Sequence, residues 1–151
     1  MTTWTGCHVE LRIPNRPEFV AVARMTVAAV AARMHLTIED IEDIKVAVGE
    51  ACTNAIQHGC PTHAGAEMIS LQCDMETDAL VVTVHDPGDG FDPATATRQH
   101  RHSAITLTER GLGMLLIESL MDEVAFSSNT GSGTEVRMVK RVRPTEAEER
   151  G

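Results

Sequence analysis

The sequence predicts an α+β domain: a two-layer sandwich in which helices cover one face of a mixed, mostly antiparallel sheet. Three observations carry that expectation. Long helical segments occupy the first part of the chain, and strand-like alternation replaces them in the second. Short turn sequences punctuate the second half, as hairpins require. No repeat and no linker divides the chain, so residues 1–142 read as a single domain and 143–151, RPTEAEERG, as a flexible tail.

The elements follow in order. CHVELRI alternates apolar and polar residues and reads as a first strand, stopped by PNRP. Glu18 to Met34 is rich in Ala, Val and Met, lacks Gly and Pro, and reads as a helix. Thr37 with Asp40 three residues on forms a capping-box-like start for a second helix that runs to about His58. Gly59 supplies its C-terminal cap and Pro61 prevents continuation. AEMISLQCDM and DALVVTVHD read as a strand pair joined at ETD. PGDGFDP is a loop, and Ala94 to Glu109 is a polar, mobile segment. GLGMLLIESLMD reads as a short helix opening on two glycines. EVAFSS and TEVRMVKRV close the chain as strands around the turn NTGSG.

Composition narrows the function classes. The chain has 151 residues, of which 42% are hydrophobic, enough for one globular core. A net charge of −9 opposes nucleic-acid binding by phosphate neutralisation and suits a basic protein partner. MTTWTGCHVELRIP lacks the basic start and apolar run of a signal peptide, and no stretch approaches the roughly 18 apolar residues of a membrane span. The four cysteines form no CxxC pair and read as reduced thiols. The expectation is a cytoplasmic protein that contacts neither membrane nor nucleic acid.

The second helix poses a chemical question. Ile41, Ile44, Val48 and Ala55 form an apolar stripe, while Glu50, Asn54 and His58 recur every fourth residue on another face. Three further stretches stand out: HDPGDGF, ERGLGM and GSGTEV. Each has a plain reading, as a solvated helix face, a turn or a chain break. No GxxxxGK[ST] is present, and GLGMLL lacks the last glycine of the dinucleotide fingerprint. Gly88 and Gly90 occupy positions where a calcium loop needs ligands. His58, Cys60 and His63 follow no standard zinc spacing. Met25, Met34, Met114, Met121 and Met138 read as core.

Together the four stretches resemble the nucleotide-binding domain shared by sensor histidine kinases, gyrase B, MutL and the heat-shock chaperone ATPases. Glu50 and Asn54 match its N box, Asp86 to Gly90 its DxGxG box, Gly111-Leu-Gly113 its second glycine box, and Gly133-Thr134 its final box. Within that superfamily, EACTNAIQHG, Arg110 and the short single domain are similar to the anti-sigma-factor serine/threonine kinases of the RsbW type. The resemblance implies a Bergerat-type ATP-binding fold, ATP and Mg²⁺ as cofactors, and an enzyme. Asn54 would bind Mg²⁺ through its amide oxygen. Glu50 would act as general base on the incoming hydroxyl. Asp86 would accept from the adenine amino group, Gly88 and Gly90 would admit the base, and Thr134 would add a hydroxyl beside it. Gly111, Leu112, Gly113 and Met114 would offer backbone N–H groups to the phosphates, and Arg110 would reach the γ-phosphate.

The resemblance further implies partners: a sigma factor that is bound and inhibited, an anti-anti-sigma-type protein that is phosphorylated, and a second copy in a homodimer. Two alternatives stand beside this reading. One is an ATP/ADP-binding regulatory module that holds a partner without phosphotransfer. The other is a related switch kinase acting on scaffold proteins. The N-terminal strand and first helix contribute to none of the four motifs, and the resemblance implies that this region forms the homodimer face and partner-binding surface, with Arg24 expected as an exposed contact for an acidic patch on the partner.

Overall fold

The computed structural model describes residues 6–58, 68–87, 104–129 and 133–143. Strand β1 (Cys7–Pro14) leads through a 3-10 turn at Pro17–Phe19 into helix α1 (Val20–Ala32), and α2 (Ile38–His58) follows. Strands β2 (Met68–Met75) and β3 (Ala79–Asp86), helix α3 (Ala104–Leu120), and strands β4 (Glu123–Asn129) and β5 (Gly133–Arg141) complete the order. The sheet runs β1-β2-β3-β5-β4. Each of these four pairings is antiparallel.

Register separates the two faces of the sheet. Leu11, Leu71, Val84, Val136 and Phe126 lie in one cross-strand row, and Val9, Cys73, Val82, Met138 and Val124 in the next. These rows join the buried residues of the helices in one core, so the helices cover this face. The stripe expected on α2 is there: Ile44 and Val48 are fully buried, while Ile41 and Ala55 pack partly buried against the core. Full burial of an aliphatic side chain the size of Ile44 or Val48 contributes about 1.5–3 kcal/mol. On α1 the buried positions Ala23, Val27, Val30 and Ala31 follow helical spacing. Helix α2 lies between α1 and α3.

The start of α2 is capped as its sequence predicts. The Asp40 N–H donates to Thr37 Oγ1 at 3.0 Å, and the Thr37 N–H donates to Asp40 Oδ2 at 3.4 Å.

Three expectations need correction. The first helix was expected from Glu18, but Pro17–Phe19 form a 3-10 turn and the α-helix begins at Val20. Pro17 lacks an N–H and presets φ, which favours a tight entry turn there. Met25 is not core but 71% exposed, because it lies off the Ala23/Val27/Val30 stripe. The third helix does not open on glycines 111 and 113; it runs from Ala104, so positions 104–109 are helical rather than part of a mobile segment. ITLTER lacks Gly and Pro, and helix continuation wins over its weak periodicity. Positions 94–103, together with Gly59 and Pro61, lie outside the described residues.

A cationic side chain sits in the core layer. Lys140 is 6% exposed and faces the helices beside Leu80. Its ammonium donates to the Leu120 carbonyl at 2.6 Å and lies 3.4 Å from Asp43 Oδ2 and 3.8 Å from Asp40 Oδ1. It therefore ties the last turn of α3 to the first turns of α2.

Candidate functional site

Helix α2 presents Glu50 and Asn54, both half-buried, toward Gly113 of α3. A methyl group at position 113 would lie 3.1 Å from Asn54 Nδ2, 3.2 Å from Glu50 Oε2 and 3.4 Å from Asn54 Oδ1. Gly113 is buried, and its missing side chain is what lets α3 come this close to two polar groups. The Asn54 amide oxygen is a hard donor that suits Mg²⁺, so the residue present fits that ion. Among the described residues no cluster of three His, Cys, Asp or Glu could hold a metal by itself.

Glu50 also lines a cleft of about 320 Å³ between α1 and α2, with Val20, Arg24, Val46, Gly49 and Thr53. Gly49 helps to shape it. A Cβ there would lie 3.1 Å from Arg24 Cδ and 3.7 Å from Arg24 Cγ, so the aliphatic stem of Arg24 lies across the helix. Arg24 is exposed, and no ion pair to it occurs among the described residues.

A second polar group sits at the end of the sheet. Asp86, 3% exposed, closes β3 on the helix-facing side. Register places Thr134 opposite Asp86 and Ser128 opposite Thr134, so three polar side chains share one row on a face that is otherwise apolar up to Lys140. The Thr134 and Ser128 hydroxyl oxygens are 3.4 Å apart. Gly133 makes the row possible. Its φ is +90°, and a Cβ there would lie 1.8 Å from the Asp86 carbonyl oxygen. Only glycine permits that conformation and that approach.

The sequence-predicted residues thus fall into distinct places. Glu50, Asn54 and Gly113 come together, as do Asp86 and Thr134. Gly111, Leu112, Gly113 and Met114 lie inside α3, so their N–H groups belong to a helical ladder instead of forming a free first turn. Gly111 faces open space and Leu112 is 60% exposed. Arg110 is part of α3, but its side chain lies outside the described residues, as do that of His58 and all of Gly88, Gly90, Cys60 and His63. Sequence reasoning missed Ser128 and the Gly49–Arg24 contact. Ser128 shows itself only once strand register is known, because a serine late in a short strand carries no signal of its own.

Comparison with known proteins gives the family of the chain. The family model described as the histidine kinase-like ATPase domain matches residues 13–140. The serine-protein kinase RsbW of Bacillus velezensis is 43% identical over 142 residues, covering 88% of this chain and 84% of that one. RsbW of Bacillus subtilis is 40% identical with the same coverage. RsbW of Staphylococcus epidermidis is 35% identical over 153 residues, covering 97% of this chain and 94% of that one. A solved structure of the RsbU and RsbW domains of a Mycobacterium tuberculosis protein superposes with a TM-score of 0.67 at 18% identity, covering 91% of this chain and 33% of that one. The histidine kinase domain of an Erythrobacter litoralis blue-light activated kinase superposes at 0.56 and 21% identity, covering 86% of this chain and 62% of that one. At these identities the two structures speak for the fold alone.

Proposed function

The chain belongs to the histidine kinase-like ATPase family, among its RsbW-type serine-protein kinases; from that premise we propose that it transfers the ATP γ-phosphoryl group to a serine or threonine of an anti-anti-sigma-type protein and that it binds and inhibits a sigma factor. The observation that carries the proposal is the position of Glu50. One side of it meets Asn54 and Gly113, and the other opens on the α1/α2 cleft. A base between a phosphate site and an open groove is what an in-line transfer to a protein hydroxyl requires.

In this reading Asp86 accepts from the adenine amino group, and Thr134 supplies a hydroxyl beside it. Gly88 and Gly90 admit the base. Asn54 would hold Mg²⁺, which when bound would offset phosphate charge. Glu50 takes the proton of the acceptor hydroxyl as that oxygen bonds to the γ-phosphorus and the bond to the β-phosphate oxygen breaks. Arg110 stabilises charge on the transferred group. Gly111 to Met114 can turn N–H groups to the phosphates only if α3 unwinds from its N-terminal end. The two glycines ease that step, each lowering helix stability by about 1 kcal/mol relative to Ala. The acceptor segment enters along the cleft, where Arg24 meets an acidic residue of the partner. A homodimer forms through the β1/α1 region, where Val22 and Met25 are 43% and 71% exposed. In this reading the protein works in the cytoplasm. No helix among the described residues is long and apolar enough to cross a membrane.

The test is labelled ATP with the purified partner and three variants. Glu50→Ala is expected to keep ATP affinity and lose about 10²–10⁴ in phosphotransfer. Asn54→Ala is expected to lose Mg²⁺-dependent binding. Arg24→Ala is expected to lose partner capture with ATP binding intact. Normal turnover in Glu50→Ala would remove the base, and phosphotransfer absent from the parent protein would leave a nucleotide-binding module.

A further inference from the structure

Ser128 needs an account. It sits on the edge strand β4, and its side chain faces the helices in line with Thr134 and Asp86. A polar row across three strands of an otherwise apolar face points to a ligand edge with matching polarity. A hydroxyl such as that of Thr134 can donate or accept, and its own direction is undetermined until a neighbour sets it. Among the described residues the hydroxyl within reach is that of Ser128, at 3.4 Å.

We propose that Ser128 is a positioning residue that fixes the direction of the Thr134 hydroxyl and so sets the preference for adenine over a 6-oxo purine. The inference rests on the adenine reading of Asp86 and Thr134. With the Ser128 O–H donating to Thr134 Oγ1, the Thr134 O–H points outward as a donor. Asp86, as a carboxylate, is an acceptor only. The row then offers acceptor beside donor. Adenine presents the complement, an amino donor beside a ring-nitrogen acceptor. Hypoxanthine presents the reverse, a carbonyl acceptor beside a ring N–H. Without Ser128 the Thr134 hydroxyl can turn and accept from that N–H, which relieves half of the mismatch. Linked hydroxyls also strengthen one another, so the outward donor is weaker when Ser128 is lost.

The experiment titrates ADP and inosine diphosphate into the parent protein, Ser128→Ala, Ser128→Thr and Asp86→Asn, with thermal melting alongside. Ser128→Ala is expected to bind ADP about three- to tenfold more weakly, the range of one hydrogen bond. Its ADP-to-inosine preference is expected to narrow with little change in melting temperature. Ser128→Thr, which keeps the hydroxyl, is expected to restore both affinity and preference. Two results would overturn the proposal while leaving the adenine reading intact, each with Asp86→Asn weakened for ADP. One is parent-like ADP affinity in Ser128→Ala. The other is an equal loss for both nucleotides with a lowered melting temperature, which would make Ser128 structural. Parent-like ADP binding in Asp86→Asn would instead overturn the adenine reading and this proposal with it.

Discussion

Replacing Gly133 by alanine tests the closeness of β3 and β5 at the site. The added Cβ would lie 1.8 Å from the Asp86 carbonyl oxygen, 2.9 Å from its carbon and 3.0 Å from Pro87 Cα, all backbone atoms that no rotamer change can move. The strand end must retreat by roughly 1 Å or more, and overpacking of this kind costs about 1–3 kcal/mol. The φ of +90° adds about 1–2 kcal/mol for a residue with a side chain. The expected loss is therefore about 2–5 kcal/mol. In a chain of this size that lowers the melting temperature by about 10 °C. Gly111→Ala is the control. Nothing lies within 4 Å of its Cβ and the position is inside α3, so it is expected to gain up to about 1 kcal/mol. Urea unfolding reads both as midpoint shifts at constant slope. On the proposed adenine reading, ADP binding reads whether Asp86 has moved. A Gly133→Ala variant within about 1 kcal/mol of the parent and normal in ADP binding would refute the reasoning, because the two strand ends could not then be in contact.

Lys140→Met is expected to cost about 1–3 kcal/mol, since it strips the Leu120 carbonyl of its donor and leaves Asp40 and Asp43 facing each other; an unchanged urea midpoint would mean the ammonium contributes nothing net. Burial alone would push the Asp122 carboxyl up, but the Arg141 N–H at 2.7 Å, the Lys140 charge and Arg143 outweigh it and hold the group below the usual carboxylate range. A lowered folded-state value stabilises above the unfolded pKa and is lost as pH falls through the folded one. Asp122→Asn is therefore expected to be less stable than the parent at neutral pH, with the gap closing in acid; a gap independent of pH would contradict this. Burial pushes the Cys52 and Cys73 thiols up to about 12, so alkylation at pH 8 should spare both until the protein unfolds, as mass spectrometry of the modified peptides can read.

The fold was readable where the local signal and the tertiary demand agree. Thr37 and Asp40 announce the start of α2, and they do cap it. The alternation of MISLQCDM survives as a strand with every second residue buried. At Gly111 and Gly113 the two disagree. Glycine signals a helix boundary from sequence, yet Gly113 lies in mid-helix, where a Cβ would crowd Glu50 and Asn54 across the gap at 3.1–3.4 Å. That is a property of two segments more than fifty positions apart, and no local pattern encodes it. The site shows the same division. Glu50, Asn54, Asp86 and Thr134 carry motif spacing and could be named in advance. Ser128 and the buried Lys140 could not, because each acquires its meaning from cross-strand register. Arg24 could be named, but its path along α2 depends on the absent side chain of Gly49.

The order of the strands bears on how the protein folds. β2 with β3, and β4 with β5, are hairpins between neighbours in sequence, which close early because their loops are short. β3 meets β5 across a long stretch of chain, and Asp86 and Thr134 face each other over that seam. The two halves of the row are therefore made separately and come together only when the hairpins dock. On the proposed adenine reading, a nucleotide that spans the seam would act as a clasp on the finished molecule. It would have nothing to grip while the hairpins are apart, so the expectation is an unchanged folding rate and a slower parting of the sheet.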